Sequence, residues 1–398
     1  MIEREGSFMK STYKTTMFSC FVGYIVQAIV NNFVPLLFIT FQNTYQIPLS
    51  KITLLVTINF GVQLLVDLLA TKFVDKIGYR TSIVLAHVTS ALGLILLTFL
   101  PEIIDSFVGI LISVMIYAVG GGIIEVLISP IMESCPTDNK EKAMSLLHSF
   151  YCWGHVGVVL LSTLFFQMAG IENWRILTLV WAVIPIINGI LFLKTPIASL
   201  VAEEEKGMSL KELFVNKTFW ILMLMMICSG ASEQAVSQWA SAFAEQGLGI
   251  SKAAGDLAGP MTFAILMGSA RAIYGKYGEK INLDKFMKIS TVLCILAYLL
   301  VCLTPSFIIS LIGCGLCGLS VGIMWPGTFS KAAVSLRLGG TAMFALLALA
   351  GDLGCAGGPT LVGMISNAAS GDMKRGILVA IIFPIILLLC LCKKQRKA

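Results

Sequence analysis

Charge is what this chain has least of. Only 13% of its 398 residues are Asp, Glu, Lys or Arg, against about 25% in an ordinary soluble domain. A water-soluble globular protein is thereby excluded. Glycine (36) and proline (12) are ordinary in number for the length and follow no fixed period, which excludes collagen-like, low-complexity and disordered chains. There is no P-loop, no HExxH, no nucleophile, base and orienter triad, and no extramembrane domain large enough for an ATPase, so neither an enzyme nor an ATP-driven pump is expected. Cysteine is not scarce, but residues such as Cys20, Cys228, Cys294, Cys302 and Cys390 lie inside apolar runs, where they act as small hydrophobes and not as a disulfide framework.

What is present is apolar sequence, 57% of the chain at a mean hydropathy of +0.89. Runs of about 20 residues, long enough to cross roughly 30 Å of hydrocarbon as helices, recur twelve times. They cover about 17 to 40, 50 to 74, 82 to 101, 106 to 131, 143 to 169, 175 to 193, 219 to 243, 253 to 275, 286 to 304, 306 to 330, 340 to 367 and 375 to 392. The first run carries no small-residue cleavage site, so it reads as a membrane helix and not a signal peptide.

The net charge of +6 is a topological signal. With the N-terminus inside, 23 of the 28 Lys and Arg residues fall in inner segments, as positive residues do in the cytoplasm. The outer loops keep Lys51, Arg175, Lys252, Lys374 and Arg375. Both termini are expected to be cytoplasmic, in a multi-pass protein of the plasma (inner) membrane. Nucleic acid is not an expected partner; a small-molecule substrate and the lipid bilayer are, and the chain is expected to be a monomer. The longest polar interval, Lys194 to Thr218, holds Glu203, Glu204 and Glu205 and a Ser209 to Glu212 capping box, and reads as a cytoplasmic linker.

Shifting the chain by 200 residues lays it on itself. TKFVDKIGYR (71–80) falls on RAIYGKYGEK (271–280), Ser106 and Phe107 on Ser306 and Phe307, Gly122 and Ile123 on Gly322 and Ile323, Gly154 and Gly157 on Gly354 and Gly357. The expected fold is therefore all-α, two pseudo-symmetric six-helix bundles of residues 1–200 and 201–398, with a central cavity lined by helices 1, 4, 7 and 10. Parallel repeats of this kind suit a secondary transporter with its site between bundles.

The segment TKFVDKIGYR resembles the loop between helices 2 and 3 of the major facilitator superfamily, with Asp75, Lys76, Gly78 and Arg80 matching and Thr71 where that family usually has glycine. A narrower resemblance is to the fucose permease group of sugar/proton symporters. It rests on AIVNNFVPLLF in the first run, GGGIIEVLISP in the fourth and LLHSFYCWG in the fifth. That likeness implies sugar contact by Asn32 and His148 and a proton-linked role for Glu125, whereas the group's first-helix carboxylate is replaced here by Pro35.

Four carboxylates lie well inside apolar runs, Asp67, Glu125, Glu233 and Asp352, and no Lys or Arg accompanies them by this reading. An ionised carboxylate there costs from about 3 to more than 10 kcal/mol, so each must protonate, face water or meet a cation. Helical spacing puts Glu125 with Gly121, Gly122 and Ser129 on a small, polar stripe, which fits either a cavity wall or close packing. Glu233 lies with Ser229, Gly230 and Ser237, beside Gln234, Gln238 and Ser241. Glu125 and Glu233 are the proton-coupling candidates. Gln27, Asn31, Asn32, His148, Trp153, Gln234, Gln238, Trp239 and Trp325 are the substrate-binding candidates, the amides as mixed donors and acceptors and the indoles as stacking faces.

The second run spaces Asn59, Gln63, Asp67, Thr71 and Asp75 by four. Asp67, Asp75, Lys76, Gly78, Arg80 and Asp352 are the gating candidates, helix 2 facing helix 11 in the family resembled. His148, Cys152 and His155 share a helical face but lack the third or fourth partner a zinc site needs, and His87 reads as a packing residue. GCGLCG (313–318) lacks the strand and turn that a dinucleotide or redox motif requires. Transport of a sugar or polyol with protons is expected, with no cofactor beyond the proton gradient. Export of an organic cation is the alternative, and a non-transporting membrane sensor the alternative of another class.

Overall fold

A computed structural model describes residues 2–136, 140–197, 208–277, 281–336 and 339–393, and helix is their only regular secondary structure. The membrane helices are α1 (Ile2–Asn32), α2 (Leu49–Ile77), α3 (Tyr79–Ile103), α4 (Ser106–Ser134), α5 (Lys140–Ala169), α6 (Trp174–Lys194), α7 (Lys217–Ser237), α8 (Thr262–Tyr277), α9 (Leu283–Leu303), α10 (Phe307–Val321, resumed as Met324–Ser335), α11 (Gly340–Ala368) and α12 (Met373–Val379, resumed as Ile382–Cys392). Among the described residues, eleven segments are long and apolar enough to span a bilayer. The expected run at 253–275 is the one without such a segment: Lys252–Asp256 leads through a π-helical turn, Leu257–Met261, into α8.

Proline explains several interruptions. It has no N–H for the carbonyl four residues earlier, so the ladder loses a bond there and can widen, tighten or break. Pro260 sits in the π-turn before α8. Pro35 sits in the 3-10 turn Val34–Leu37 that ends α1 before Phe38–Tyr45 resumes. Pro326 follows the break of α10 at Gly322 and Ile323 by a few residues, and Pro384 does the same in α12 after Ala380 and Ile381. The break after α7, at Gln238 and Trp239, has no proline.

Polar side chains set the helix starts. Asp105 accepts from the Val108 N–H at 3.0 Å, and Asn282 from that of Lys285 at 3.0 Å. Ser209 and Glu212 form the full capping box, but on a separate six-residue linker helix, Leu210–Val215. Asn216 then caps α7 through the Thr218 N–H at 2.9 Å. Gly78 takes φ +83° between α2 and α3, a conformation that side chains disfavour. The acidic residues Glu203, Glu204 and Glu205 lie outside the described residues.

The chain divides into two compact units, Met1–Ile47 with Gly61–Ala202, and Pro48–Phe60 with Glu203–Ala398. In the first, Val26, Ile123, Ile124, Leu127, Ile128 and Phe192 form part of the core. Lipid solvates leucine as well as another helix does, so association rests on close backbone approach at small residues. The repeat shows itself in these approaches. A Cβ on Gly154 of α5 would meet Ala28 and Ile25 of α1, and one on Gly354 of α11 would meet Ile227 and Ala231 of α7. Gly122 of α4 abuts Val66 of α2, and Gly322 of α10 abuts Met267 and Ala270 of α8. In the second unit, Thr57 Oγ1 lies 2.6 Å from Thr360 Oγ1 of α11.

Candidate functional site

In the first unit, α1 presents Tyr24, Gln27 and Asn31 along one face. Gln27 is 2% exposed. Its Nε2 donates to Gln63 Oε1 of α2 at 3.0 Å and to Glu125 Oε2 of α4 at 3.1 Å. Gln63 Nε2 donates onward to Asn31 Oδ1 at 2.8 Å. One turn below Glu125, Tyr24 and Ser129 join hydroxyls at 2.9 Å, and the Tyr24 ring lies 5.4 Å from that of His148 on α5. Four side chains on three helices therefore form one hydrogen-bonded chain, Asn31, Gln63, Gln27 and Glu125. Gln27 Oε1, buried, has no donor among the described residues. Gly121 makes the space, since its added Cβ would come within 3.1 Å of Gln27 Oε1 and 3.3 Å of Gln63 Cδ.

The other candidates of this unit divide by surroundings. Asn32 donates to the Ala28 carbonyl at 3.0 Å and to Tyr151 at 3.4 Å. His148 and Trp153 are exposed whereas Cys152 and His155 are buried, so the shared face does not have one environment. Among the described residues, no group of three or more His, Cys, Asp or Glu side chains could hold a metal ion. His87 Nδ1 donates to the Ile83 carbonyl at 2.7 Å, leaving Nε2 to accept from Asn188 at 2.8 Å. Arg80 donates to the Phe192 and Leu193 carbonyls at 2.8 and 2.9 Å, fastening the α2–α3 turn to the end of α6. Asp67 is partly buried on α2. The side chains of Asp75, Lys76 and Thr71 lie outside the described residues.

In the second unit, Glu233 of α7 is 7% exposed and is paired. Its Oε2 accepts from Arg271 Nη2 of α8 at 3.1 Å, and its Oε1 from Gln234 at 3.3 Å. Gln238 donates to Gln234 at 3.1 Å. This corrects the expectation that no basic residue accompanies the buried carboxylates. Arg271 lies near the end of α8, where a long basic chain ordinarily reaches for the membrane surface. Here it turns inward, because an unpaired buried carboxylate costs more than the bent stem. The sequence signal was only that a buried Glu233 must protonate, face water or meet a cation, and it did not single out Arg271.

The tryptophans of this unit pack. Trp239 is 1% exposed and its Nε1 donates to the Pro359 carbonyl at 2.9 Å. The Trp325 indole lies over Gly351 of α11, beside buried Asp352. Sequence reasoning missed Asp256, 1% exposed, which accepts from Ser241 and lies 3.1 Å from Lys252. Trp174 is buried under Arg175, whose guanidinium lies 5.4 Å from its ring centroid. Arg175 also bonds Tyr45 at 2.8 Å and pairs with Glu102, joining the ends of α3 and α6 to the segment after α1.

The family model of the Major Facilitator Superfamily matches residues 16–359. The chain belongs to this superfamily. It is thus a multi-pass membrane transporter, built for a small-molecule substrate and a lipid bilayer. No curated protein sequence matches it. Solved structures share its fold at low identity. The E. coli fucose:proton symporter is 15% identical at a TM-score of 0.67, over 97% of this chain and 100% of that one. A D-xylose-proton symporter is 12% identical at 0.78, over 97% and 98%. The nucleoside transporter NupG is 14% identical at 0.73, over 94% and 98%.

Proposed function

We propose that this superfamily member moves a small neutral polar solute, a sugar or polyol, by alternating access, with a proton carried on Glu125. The observation that supports it most is the bond from Gln27 to Glu125 within the chain of amides that ends at Asn31. Amide side chains offer donors and acceptors together, as a hydroxyl-bearing solute needs. A carboxylate that accepts from an amide keeps that bond in either protonation state, and gains a donor when protonated.

Glu233 is held by Arg271, so the pair presents no net negative charge to a solute. This weakens the reading as an organic-cation exporter, which drew on four carboxylates free of basic partners. The fucose, xylose and nucleoside specificities named for structural neighbours all concern polyhydroxylated solutes, in keeping with the proposal. The gating role stays with Asp67, Asp75, Lys76, Gly78, Arg80 and Asp352, in a plasma-membrane monomer whose termini are both cytoplasmic.

The test is a thermal-shift screen of purified protein against fucose, xylose, uridine, gluconate and tetraphenylphosphonium, followed by titration of each hit. Stabilisation by a neutral sugar or nucleoside is the expected result. Stabilisation by tetraphenylphosphonium alone would transfer the chain to the exporter reading.

A further inference from the structure

Among the described residues, Arg271 reaches acceptors on two helices. Its Nη2 reaches Glu233 Oε2 of α7 at 3.1 Å, and its Nε reaches the Gly322 carbonyl of α10 at 3.4 Å. That carbonyl lies in the turn where α10 is broken, between Val321 and Met324. In an unbroken helix it would accept from the N–H of residue 326, but residue 326 is proline and has none. A backbone carbonyl left unpaired at membrane depth costs several kcal/mol, and the guanidinium supplies the missing donor.

The approach is close by construction. Gly322 abuts α8 so tightly that an added Cβ would lie 2.8 Å from Ala270 Cβ and 2.9 Å from the Met267 carbonyl. Three residues beyond the break, the Trp325 indole lies over Gly351 of α11. A planar guanidinium presents donors in several directions at once, which is why one residue can span both partners.

We propose that Arg271 is a positioning residue that links the engagement of Glu233 to the set of the α10 break, and through it to Trp325. When Glu233 turns to a solute hydroxyl or is neutralised, Arg271 loses its counter-charge, withdraws toward water, and leaves the Gly322 carbonyl without its donor. The turn then loosens. The participation of Glu233 in transport rests on the function proposed above, but the link itself does not. It is measured without solute or gradient, so its failure and the failure of the transport reading are separate results.

The experiment is hydrogen exchange by mass spectrometry on the full chain in nanodiscs, following peptides that cover residues 319–328. Glu233→Gln is expected to raise exchange there by about tenfold, the scale of one lost charge-assisted hydrogen bond, although Glu233 lies on another helix. Arg271→Lys keeps a charge for Glu233 but, with all its donors on one nitrogen, lacks the planar fork that spans both acceptors, and should raise exchange at the break to a similar degree. The two changes together should raise it no further, because both act through one guanidinium. Peptides of α3 and α4 serve as the control for general loosening. Additive effects, or a Glu233→Gln variant that exchanges at 319–328 like the wild type, would overturn the link and leave Arg271 a packing residue. Should either variant fold poorly, Glu233→Asp, which keeps the charge on a shorter stem, gives a second reading, with slower exchange than Glu233→Gln expected and equal exchange contradicting the link.

Discussion

Gly121 is the residue on which the amide network is most sensitive. An added Cβ would meet Val30 Cγ1 at 2.9 Å, Gln27 Oε1 at 3.1 Å and Gln63 Cδ at 3.3 Å. All three are side-chain atoms, so the protein can fold around an alanine, but only by displacing Val30 and the two glutamines. Gly121→Ala is therefore expected to keep its unfolding temperature within a few degrees while weakening solute binding by about 1 to 2 kcal/mol. Gly157→Ala, where nothing lies within 4 Å, should do neither. Titration of both with the best neutral sugar of the screen checks this, and equal affinity in the two variants would contradict it. At this scale the sequence was informative about single helices. Residue type offered Gln27 and Asn31 as donors and acceptors and spacing placed Gln63 on a polar ladder, but neither says which helix a side chain meets. The Gln27 to Gln63 bond and the inward turn of Arg271 were for that reason not legible.

Helix contacts carry the next prediction. The Cβ of Gly354→Ala would lie 2.0 Å from the Ile227 carbonyl oxygen, a backbone atom, whereas that of Gly154→Ala would lie 3.0 Å from the Ala28 side chain. Backbone cannot step aside without parting two helices. Gly354→Ala should cost about 1 to 3 kcal/mol and lower the unfolding temperature more than its repeat counterpart Gly154→Ala, by thermal unfolding in one detergent. The reverse order would show that the repeat glycines are not packed alike.

On the linker helix, the Ser209 N–H and hydroxyl hold the Glu212 carboxyl below the usual glutamate range. A depressed pKa means that the cap supports the helix above the ordinary glutamate value and loses that support as pH falls through the lower, folded one. Carbon-13 labelling of Glu212 should show a midpoint below that of the Ser209→Ala variant; equal midpoints would remove the cap from the account. The position of most interruptions could be read from Pro35, Pro260, Pro326 and Pro384. Yet Pro101, Pro130, Pro185 and Pro359 lie inside continuous helices, so proline permits a break that packing then decides.

Over the whole molecule, the twelve apolar runs gave the helices, because backbone in lipid must bond to itself, and the 200-residue repeat gave their division into two like sets. The distribution of Lys and Arg predicts that the C-terminus is cytoplasmic. Cys392, exposed at the end of α12, offers a native probe. A membrane-impermeant maleimide should label it in inside-out vesicles and not in right-side-out ones; labelling in the opposite pair would invert the topology.

The central claim is that Glu125, within the Gln27, Gln63 and Asn31 network, carries the proton that drives solute movement. Glu125→Gln imitates the protonated side chain and retains an acceptor for Gln27. In proteoliposomes, this variant is expected to lose uptake of the radiolabelled sugar driven by a pH gradient while keeping exchange of that sugar across a membrane without one. Gradient-driven uptake equal to that of the wild type would contradict it.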